Sequence, residues 1–507
     1  MSSLVESTLA TIATSSSNAQ AFLIFLLVVL AVRHWCHNPY TIPPGPAGWP
    51  VVGYALQLKD SPLHLAFTSL AKQYGKLFTL YLGRSLILVL NDAVSIQEAL
   101  VKQADAFSER KVPETVRLTF PSKGSILYDT GDNWRAVRRF TVGAMRTFGV
   151  GKMSISLRIN EEVRILCDCF EQYKETPFNP RMPLSSAVSN VICQMSFGHR
   201  FDYDNKNFVM LQENLRKRMM IGRTSLVNYF PLLFYTPLYK ELRELDAARR
   251  KHMQAIVKEH QSTFDPENIR DMIDLFFKEV RESSKCPFIE ENVERLLHDL
   301  FGAGTDTSAN MLAWLLLIMT QYPDVQLKIQ EELEHVIGCG RQPTWCDRCD
   351  LPYCHAVMLE VFRFRPAGPL AVPHLATYNT KLMGYDIPKG TTVLVNIYAA
   401  HFDPDYWDNP ELFRPERFLS KDGKEVVKPT HGSYLPFGIG PRSCPGEQLA
   451  RMELFLFMTN LMQRFTFQQP DNDPKPDMEG VFSVTLSPKP FRVCAIPRHA
   501  HTASKTT

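Results

Sequence analysis

The sequence predicts one large, mainly α-helical domain carrying a few small β-sheets. Three observations predict it. Apolar residues recur at helical spacing through most of the 507 residues, stretches with strand character are short and few, and from Val51 to about Arg498 no second linker, repeat or low-complexity run divides the chain. Hydrophobic content of 45% with 21% charged residues leaves ample core. A net charge of +3 gives no support to a nucleic-acid partner. Eleven cysteines are too few for a disulfide scaffold in a chain this long, and an odd number leaves at least one unpaired, so a reducing compartment is the simpler reading.

From the N-terminus, no charged residue occurs between Ser7 and Val32, and Ala21 to Val32 (AFLIFLLVVLAV) is continuously apolar. That charge-free stretch of 26 residues exceeds the ~20 a membrane span needs. The first basic residue, Arg33, follows the apolar run, which puts the bulk of the chain on the cytosolic side. A cleaved signal peptide wants a basic region before its core and a small-residue site after it, and neither is present. Residues 1–33 therefore read as an uncleaved anchor. Pro39, Pro43, Pro44, Pro46 and Pro50, with Gly45 and Gly48, read as a stiff extended linker over 34–50. The domain then occupies 51–498, and the polar tail 499–507 reads as disordered.

Inside the domain, LFTLYL (77–82) and LILVL (86–90) are strand-like, and the longest helical pattern runs from about Glu290 to Gln321, stopped by Pro323. The proline-rich stretch 401–418 reads as ordered coil, because its aromatics need burial. Ala303-Gly304-Thr305-Asp306-Thr307 breaks the apolar pattern of the long helix. A threonine hydroxyl there can bond the carbonyl one turn back and open the backbone ladder, and glycine permits a bulge. A simple kink with a solvated Asp306 is the alternative.

Glu360 and Arg363 sit three apart on a short helix from Pro352 to Phe364, and Trp134 and Arg138 share a helix face four apart. Either pair alone is compatible with surface packing. Cys339, Cys346, Cys349 and Cys354 with His355 look zinc-like, but only one Cys-x-x-Cys knuckle exists where structural zinc sites pair two. PFGIGPRSCPG (436–446) sets Cys444 among glycines, close to Arg442 and just before an amphipathic helix from Glu447. Positive charge and the helix dipole both favour loss of the thiol proton, so Cys444 reads as a metal ligand or a nucleophile.

Together the motifs resemble the cytochrome P450 haem-thiolate monooxygenases. Trp134-x-x-x-Arg138, Ala303 to Thr307, Glu360-x-x-Arg363, Pro415-Glu416-Arg417-Phe418 and Phe437-x-x-Gly440-x-Arg442-x-Cys444-x-Gly446 stand in that family's order and spacing, and the resemblance runs from the anchor to about Arg498. RQPTWCDRCDLPY, NVICQMSFGHRFDY and LARMELFLFM are similar to the animal microsomal clan with drug-metabolising and steroid-hydroxylating members.

The resemblance implies the P450 fold behind one transmembrane helix, with haem b held in a loop that includes Phe437, Gly440 and Gly446. It makes Cys444 the axial thiolate of the iron, and gives Arg442, Trp134, Arg138, Arg110 and His374 the haem propionates. Glu360, Arg363 and Arg417 become a buried salt-bridge network, and Asp306 and Thr307 lie over the iron and relay protons. The pocket would be lined from 111 to 127, near 209 to 216, at 297 to 304, at 369 to 372 and around Phe482. The implied reaction inserts one oxygen atom from O2 into a lipophilic steroid, fatty acid or foreign compound. Electrons come from NADPH through NADPH–cytochrome P450 reductase, with cytochrome b5 as a further donor, at the endoplasmic reticulum membrane with the domain cytosolic. Arg135 and Arg139 are expected to face that donor. A haem-thiolate isomerase or dehydratase, and a non-catalytic haem sensor, are the alternatives. The intact Asp306-Thr307 pair argues against the first, and consumption of NADPH would exclude the second.

Overall fold

The computed structural model describes residues 22, 40–49, 52–58, 61–120, 123–223, 226–228, 231–282 and 288–498. The anchor and the tail expected at 1–33 and 499–507 lie outside these residues, Phe22 apart. No helix among the described residues is long and apolar enough to cross a membrane.

In chain order the main elements are α1 (Leu63–Tyr74), β1 (Leu77–Leu82), β2 (Ser85–Leu90), β3 (Glu109–Arg110), α2 (Gly131–Thr147), α3 (Met153–Glu171), α4 (Arg181–Ser196), α5 (Lys206–Arg223), α6 (Lys240–Thr263), α7 (Met272–Glu282), α8 (Asn292–Gln321), α9 (Pro323–Val336), α10 (Pro352–Phe364), β4 (His374–Leu375), β5 (Thr380–Leu382), β6 (Tyr385–Ile387), β7 (Thr392–Val395) and α11 (Glu447–Arg464). Helices α9 and α10 each begin on a proline, whose fixed φ suits the first turn and whose missing N–H costs nothing there. The largest sheet runs β1-β2-β7-β4-β3. β1 and β2 form the antiparallel hairpin expected at 77–90, and β7 joins β2 in parallel. At the far edge Arg110 of β3 is paired in register with His374 of β4, so one sheet edge delivers both side chains to one place.

α8 crosses the middle of the molecule, packed against α4 and α11. Gly304 explains how closely: a Cβ there would lie 2.6 Å from Ile192 Cδ1 on α4. Trp314 is fully buried and its Nε1–H donates to the Leu486 carbonyl at 3.0 Å. Helix α8 keeps α-helical hydrogen bonding throughout, so the bulge expected at Gly304 is not formed. Thr307 does bond the Ala303 carbonyl one turn back, at 2.7 Å, without opening the ladder.

Of the proline-rich stretch expected at 34–50, residues 40–49 are described, and they are docked rather than free. Thr79 on β1 donates from N to the Pro44 carbonyl at 2.9 Å and from Oγ1 to the Pro43 carbonyl at 2.7 Å, and Asp386 holds Thr41. The stretch 401–418 is ordered around buried Trp407, Phe413 and Phe418.

Candidate active site

The Cys444 loop is set by its own backbone. Gly438 and Gly440 take φ of +70° and +78°, in the left-handed region. A side chain at Gly440 would collide with the Leu100 carbonyl, so only glycine fits. The Cys444 N–H donates to the Phe437 carbonyl at 2.9 Å, and α11 starts three residues later. Phe437 is held edge-on to Phe362 of α10.

Cys444 faces a cavity of about 280 Å³, walled mostly by apolar side chains. Phe437, Gly438 and Gly446 form the wall around the thiol, while Ala303, Gly304 and Thr307 of α8 line another part of it. Burial pushes the Cys444 thiol up to about 11, and the N–H groups of Gly446 and Glu447 with Arg138 offset only part of this. The easy ionisation expected from Arg442 and the helix start is therefore not intrinsic to the loop: desolvation outweighs them. Coordination to a metal cation reverses that order, because it removes the thiol proton outright.

Arg110, His374 and Arg442 also line the cavity. Burial and the neighbouring Arg442 push Arg110 down to about 9, burial brings Arg442 to about 10, and burial with Arg110 pushes His374 down to about 3. Arg442 lies flat over the Trp134 ring at 3.8 Å and donates to the Ser108 and Asp129 carbonyls. His374 Nδ1–H donates to the Phe107 carbonyl at 2.7 Å. After these bonds, Arg110 Nε, Arg442 Nη1 and Trp134 Nε1 remain buried without a partner. Buried donors of positive charge with no acceptor are costly, and a dianion satisfies them. A flat, iron-bearing macrocycle with two carboxylates matches what these residues leave open. Arg138, 5.7 Å from the Trp134 ring, donates to the Ser443 carbonyl at 2.8 Å and so also clamps the Cys444 loop.

Two neighbours on α8 are separated by the helix. Thr307 lines the cavity, whereas Asp306 lines a second, polar pocket of about 30 Å³ with Arg181, Gln212 and Arg216. Asp306 Oδ2 accepts from Thr485 Oγ1 at 2.5 Å and from Asn310 Nδ2 at 3.2 Å, and burial raises its pKa despite these bonds and Arg181. The expectation that both residues lie over one spot is corrected accordingly, because consecutive helical residues point about 100° apart.

Of the stretches expected to line the pocket, Ile126 and Leu127, Asp299, Leu300, Ala303 and Gly304, and Ala371 and Val372 do so. Gln212 and Leu215 belong to the second pocket, and Phe482 packs in a separate cluster with Trp314. Glu360, Arg363 and Arg417 come together with no exposure at the first two: Arg363 grips Glu360 at 2.7 and 2.8 Å, and Arg417 Nε reaches Glu360 Oε1 at 3.1 Å. Cys339, Cys346 and Cys349 are exposed while Cys354 is buried, and they form no metal-ligand cluster among the described residues.

Two functional-looking residues escape a reading of the sequence. His401 ties the ion network to the Cys444 loop, and Glu453 is a carboxyl in the cavity wall. Glu453 does carry a signal, as one acid in a helix otherwise apolar on every side from Met452 to Met458.

The family model for Cytochrome P450 matches residues 43–495. Cytochrome P450 2U1 of Mus musculus is 39% identical over 502 residues, covering 93% of this chain and 94% of the relative. The Homo sapiens protein of that name is 39% identical over 507 residues, 93% of each. Cytochrome P450 2D6 of Homo sapiens is 37% identical over 487 residues, 94% of this chain and 97% of the relative.

Proposed function

The chain belongs to the cytochrome P450 family, whose members are haem b monooxygenases, and on that premise we propose that it hydroxylates a lipophilic steroid, fatty acid or foreign compound. Electrons come from NADPH through NADPH–cytochrome P450 reductase, with cytochrome b5 as a further donor. The enzyme works at the endoplasmic reticulum membrane, held by one N-terminal span with its catalytic domain in the cytosol. The observation that carries this reading is the cavity itself: a thiol, a set of unpaired buried donors, and apolar walls elsewhere.

When bound, the haem activates dioxygen and transfers one of its oxygen atoms, the thiolate's electron donation favouring O–O cleavage. Cys444 supplies that thiolate, held by the Phe437 carbonyl and by Arg138 acting on Ser443. Arg110, Arg442 and Trp134 present their free N–H groups to the carboxylates. His374 has spent Nδ1–H on Phe107, so its Nε2 donates to a carboxylate only when the ring is charged, and a carboxylate within reach supplies the field that charges it. The Thr307 hydroxyl proton is committed to the Ala303 carbonyl, so its oxygen acts as an acceptor that holds a proton donor in place. Asp306 exchanges protons with the polar pocket behind α8. The apolar walls exclude bulk water and bind substrate by area rather than by pattern.

The test is made on purified, haem-loaded protein. The reduced protein with CO is expected to show the band of thiolate ligation, and Cys444→Ser to lose it, because an alcohol is no soft anionic ligand. NADPH consumption with added reductase, in the presence of steroid, fatty acid and foreign-compound probes, is expected to rise with at least one class. A thiolate band in the Ser variant, or CO binding without NADPH consumption, would overturn the reading.

A further inference from the structure

The segment between α9 and α10 exposes the thiols of Cys339, Cys346 and Cys349, which have no part in the mechanism above. Cys346 and Cys349 lie on one 3₁₀-helical stretch, Trp345–Cys349, and Cys339 precedes it. In a 3₁₀ helix, residues three apart eclipse each other, with a rise of about 2.0 Å per residue. The two Cα atoms are therefore about 6 Å apart, with both side chains on one edge. That separation falls inside the range of about 4.4–6.8 Å that a disulfide bridges.

The turn is braced from both sides, so the pair is held in this register before any bond forms. Thr344 and Asp347 close a capping box, the Thr344 N–H and hydroxyl donating to Asp347 Oδ2 at 2.7 and 2.8 Å. Arg341 grips the same carboxylate through both Nη groups, at 2.8 and 2.7 Å. Trp345 stands edge-on to Phe455 of α11, with 5.7 Å between ring centres, and Arg348 covers the Trp345 ring at 4.1 Å. Gln463 of α11 donates to the Gly338 and Arg341 carbonyls at 2.7 and 2.9 Å. Asp347 and Arg348, the two residues between the cysteines, thus have their side chains committed to the bracing, while both thiols stay open to solvent. Cys354 on α10 is the contrast: it is fully buried, and burial raises its thiol well above the usual range, which makes it a poor nucleophile.

We propose that Cys346 and Cys349 are a redox-reactive dithiol, closing reversibly to a disulfide by exchange with a small-molecule disulfide of the glutathione type. One cysteine thiolate attacks glutathione disulfide: its S–S bond breaks, a mixed disulfide forms, and one glutathione thiolate leaves. The second cysteine attacks the protein sulfur of that mixed disulfide, and the second glutathione leaves. Two electrons pass from the cysteine sulfurs to glutathione disulfide, and the two thiol protons end on the two glutathione thiols. A disulfide on an exposed turn is of the labile kind, so excess glutathione opens it again. The exchange involves no haem and does not rest on the monooxygenase reading.

The full haem-loaded chain, equilibrated in glutathione buffers of stepped ratio, blocked with iodoacetamide and cut with trypsin, tests the pair. Cleavage after Arg348 puts the two cysteines on separate peptides, 342–348 and 349–363. The bond is then read by mass spectrometry as a joined pair that reduction separates. The joined pair is expected to accumulate as glutathione disulfide rises and to vanish when glutathione is restored, with the CO band unchanged throughout. Cys346→Ser and Cys349→Ser should each abolish it and leave a glutathione adduct on the remaining cysteine, while Cys339→Ser should keep it. Both thiols alkylated at every ratio would overturn the proposal. So would a joined pair that survives in Cys349→Ser, which would put the bond on Cys354, or one found only in chains cross-linked on a non-reducing gel.

Discussion

The backbone N–H of Leu435 donates to His401 Nε2 at 2.8 Å, and His401 Nδ1–H donates in turn to the Arg363 carbonyl at 3.0 Å. Arg363 Nη1 returns a bond to the His401 carbonyl at 2.9 Å. The imidazole is thus a strut between the buried Glu360–Arg363–Arg417 network and the loop that reaches Phe437 and Cys444 two and nine residues further on. Both ring nitrogens are used by the backbone, one as donor and one as acceptor, which requires the neutral ring. Burial and Arg363 push His401 down to about 3 and keep it so.

Removing the strut should loosen the thiol without unfolding the domain. His401→Phe is expected to keep its far-ultraviolet circular dichroism but to lose haem on gel filtration and most of the thiolate-type CO band. Retention of both would mean that the loop holds itself.

The same histidine predicts a pH dependence. Its folded pKa lies below the unfolded value of about 6.5, so its contribution to stability is complete above that value and is lost as pH falls toward about 3. Such a group costs about 1.4 kcal/mol of stability per pH unit within that window. The urea midpoint of the haem-loaded protein should therefore fall between pH 6.5 and pH 5, and fall less steeply in His401→Gln. Equal slopes would show that the ring titrates normally.

A buried ion network is poor evidence of net stability, but breaking it is expensive. Arg363→Ala leaves Glu360 with Arg417, the backbone N–H of Arg414 and no exposure to water. The expected loss is about 3–5 kcal/mol, with haem retention failing at 37 °C in thermal-shift and absorbance assays. The Glu360→Leu/Arg363→Met pair should be less destabilised than Arg363→Ala alone. A double variant worse than the single would point to shape rather than charge.

Arg135 and Arg139 are exposed on α2, which also carries Arg138 behind the Cys444 loop. Asp132 holds Arg135 at 2.6 Å, an exposed pair that screens part of its charge. Charge reversal at both positions should raise the reductase concentration for half-maximal activity, with the gap narrowing at high salt. Peroxide-driven turnover should be unchanged; an equal fall there would make the two arginines structural.

How much of this was legible depends on what each residue answers to. The hairpin at 77–90, the helix at 352–364 and the boundaries of α8 follow from local periodicity and proline stops, which are sequence properties. The Glu360–Arg363 pair was legible as spacing, but its burial was not, because burial depends on Trp407 and Phe418 from a segment 40 and more residues away. Arg110 and His374 meet through strand register across 264 positions, which no local pattern encodes. Cys444 is legible from its glycines, while its burial is not, since spacing reveals charges nearby and not the water removed. Glu453 stands out locally as one acid among apolar residues, but its place in the cavity wall depends on packing against α8.

The separation of Thr307 from Asp306 by the body of α8 yields the last prediction. Hydroxylation needs protons in a cavity dry enough to bind an apolar substrate, so proton entry and substrate entry are best kept apart. Asp306 stands in a small polar pocket beside Arg181, and Thr307 stands in the apolar cavity. Thr307→Ala removes the acceptor that positions the final donor. It should leave haem and substrate binding intact and divert NADPH electrons to hydrogen peroxide, cutting product yield by about 10²-fold. Asp306→Asn keeps the Thr485 bond but loses the exchangeable proton, so it should slow oxygen consumption with less diversion and enlarge the solvent isotope effect. Thr485→Val is the control, because the Thr485 hydroxyl holds Asp306 yet lines neither pocket. It should resemble a mild form of Asp306→Asn. If both residues only shape α8, all three variants will lose substrate affinity in step with rate while product per NADPH stays constant, and the two-sided proton route is then wrong.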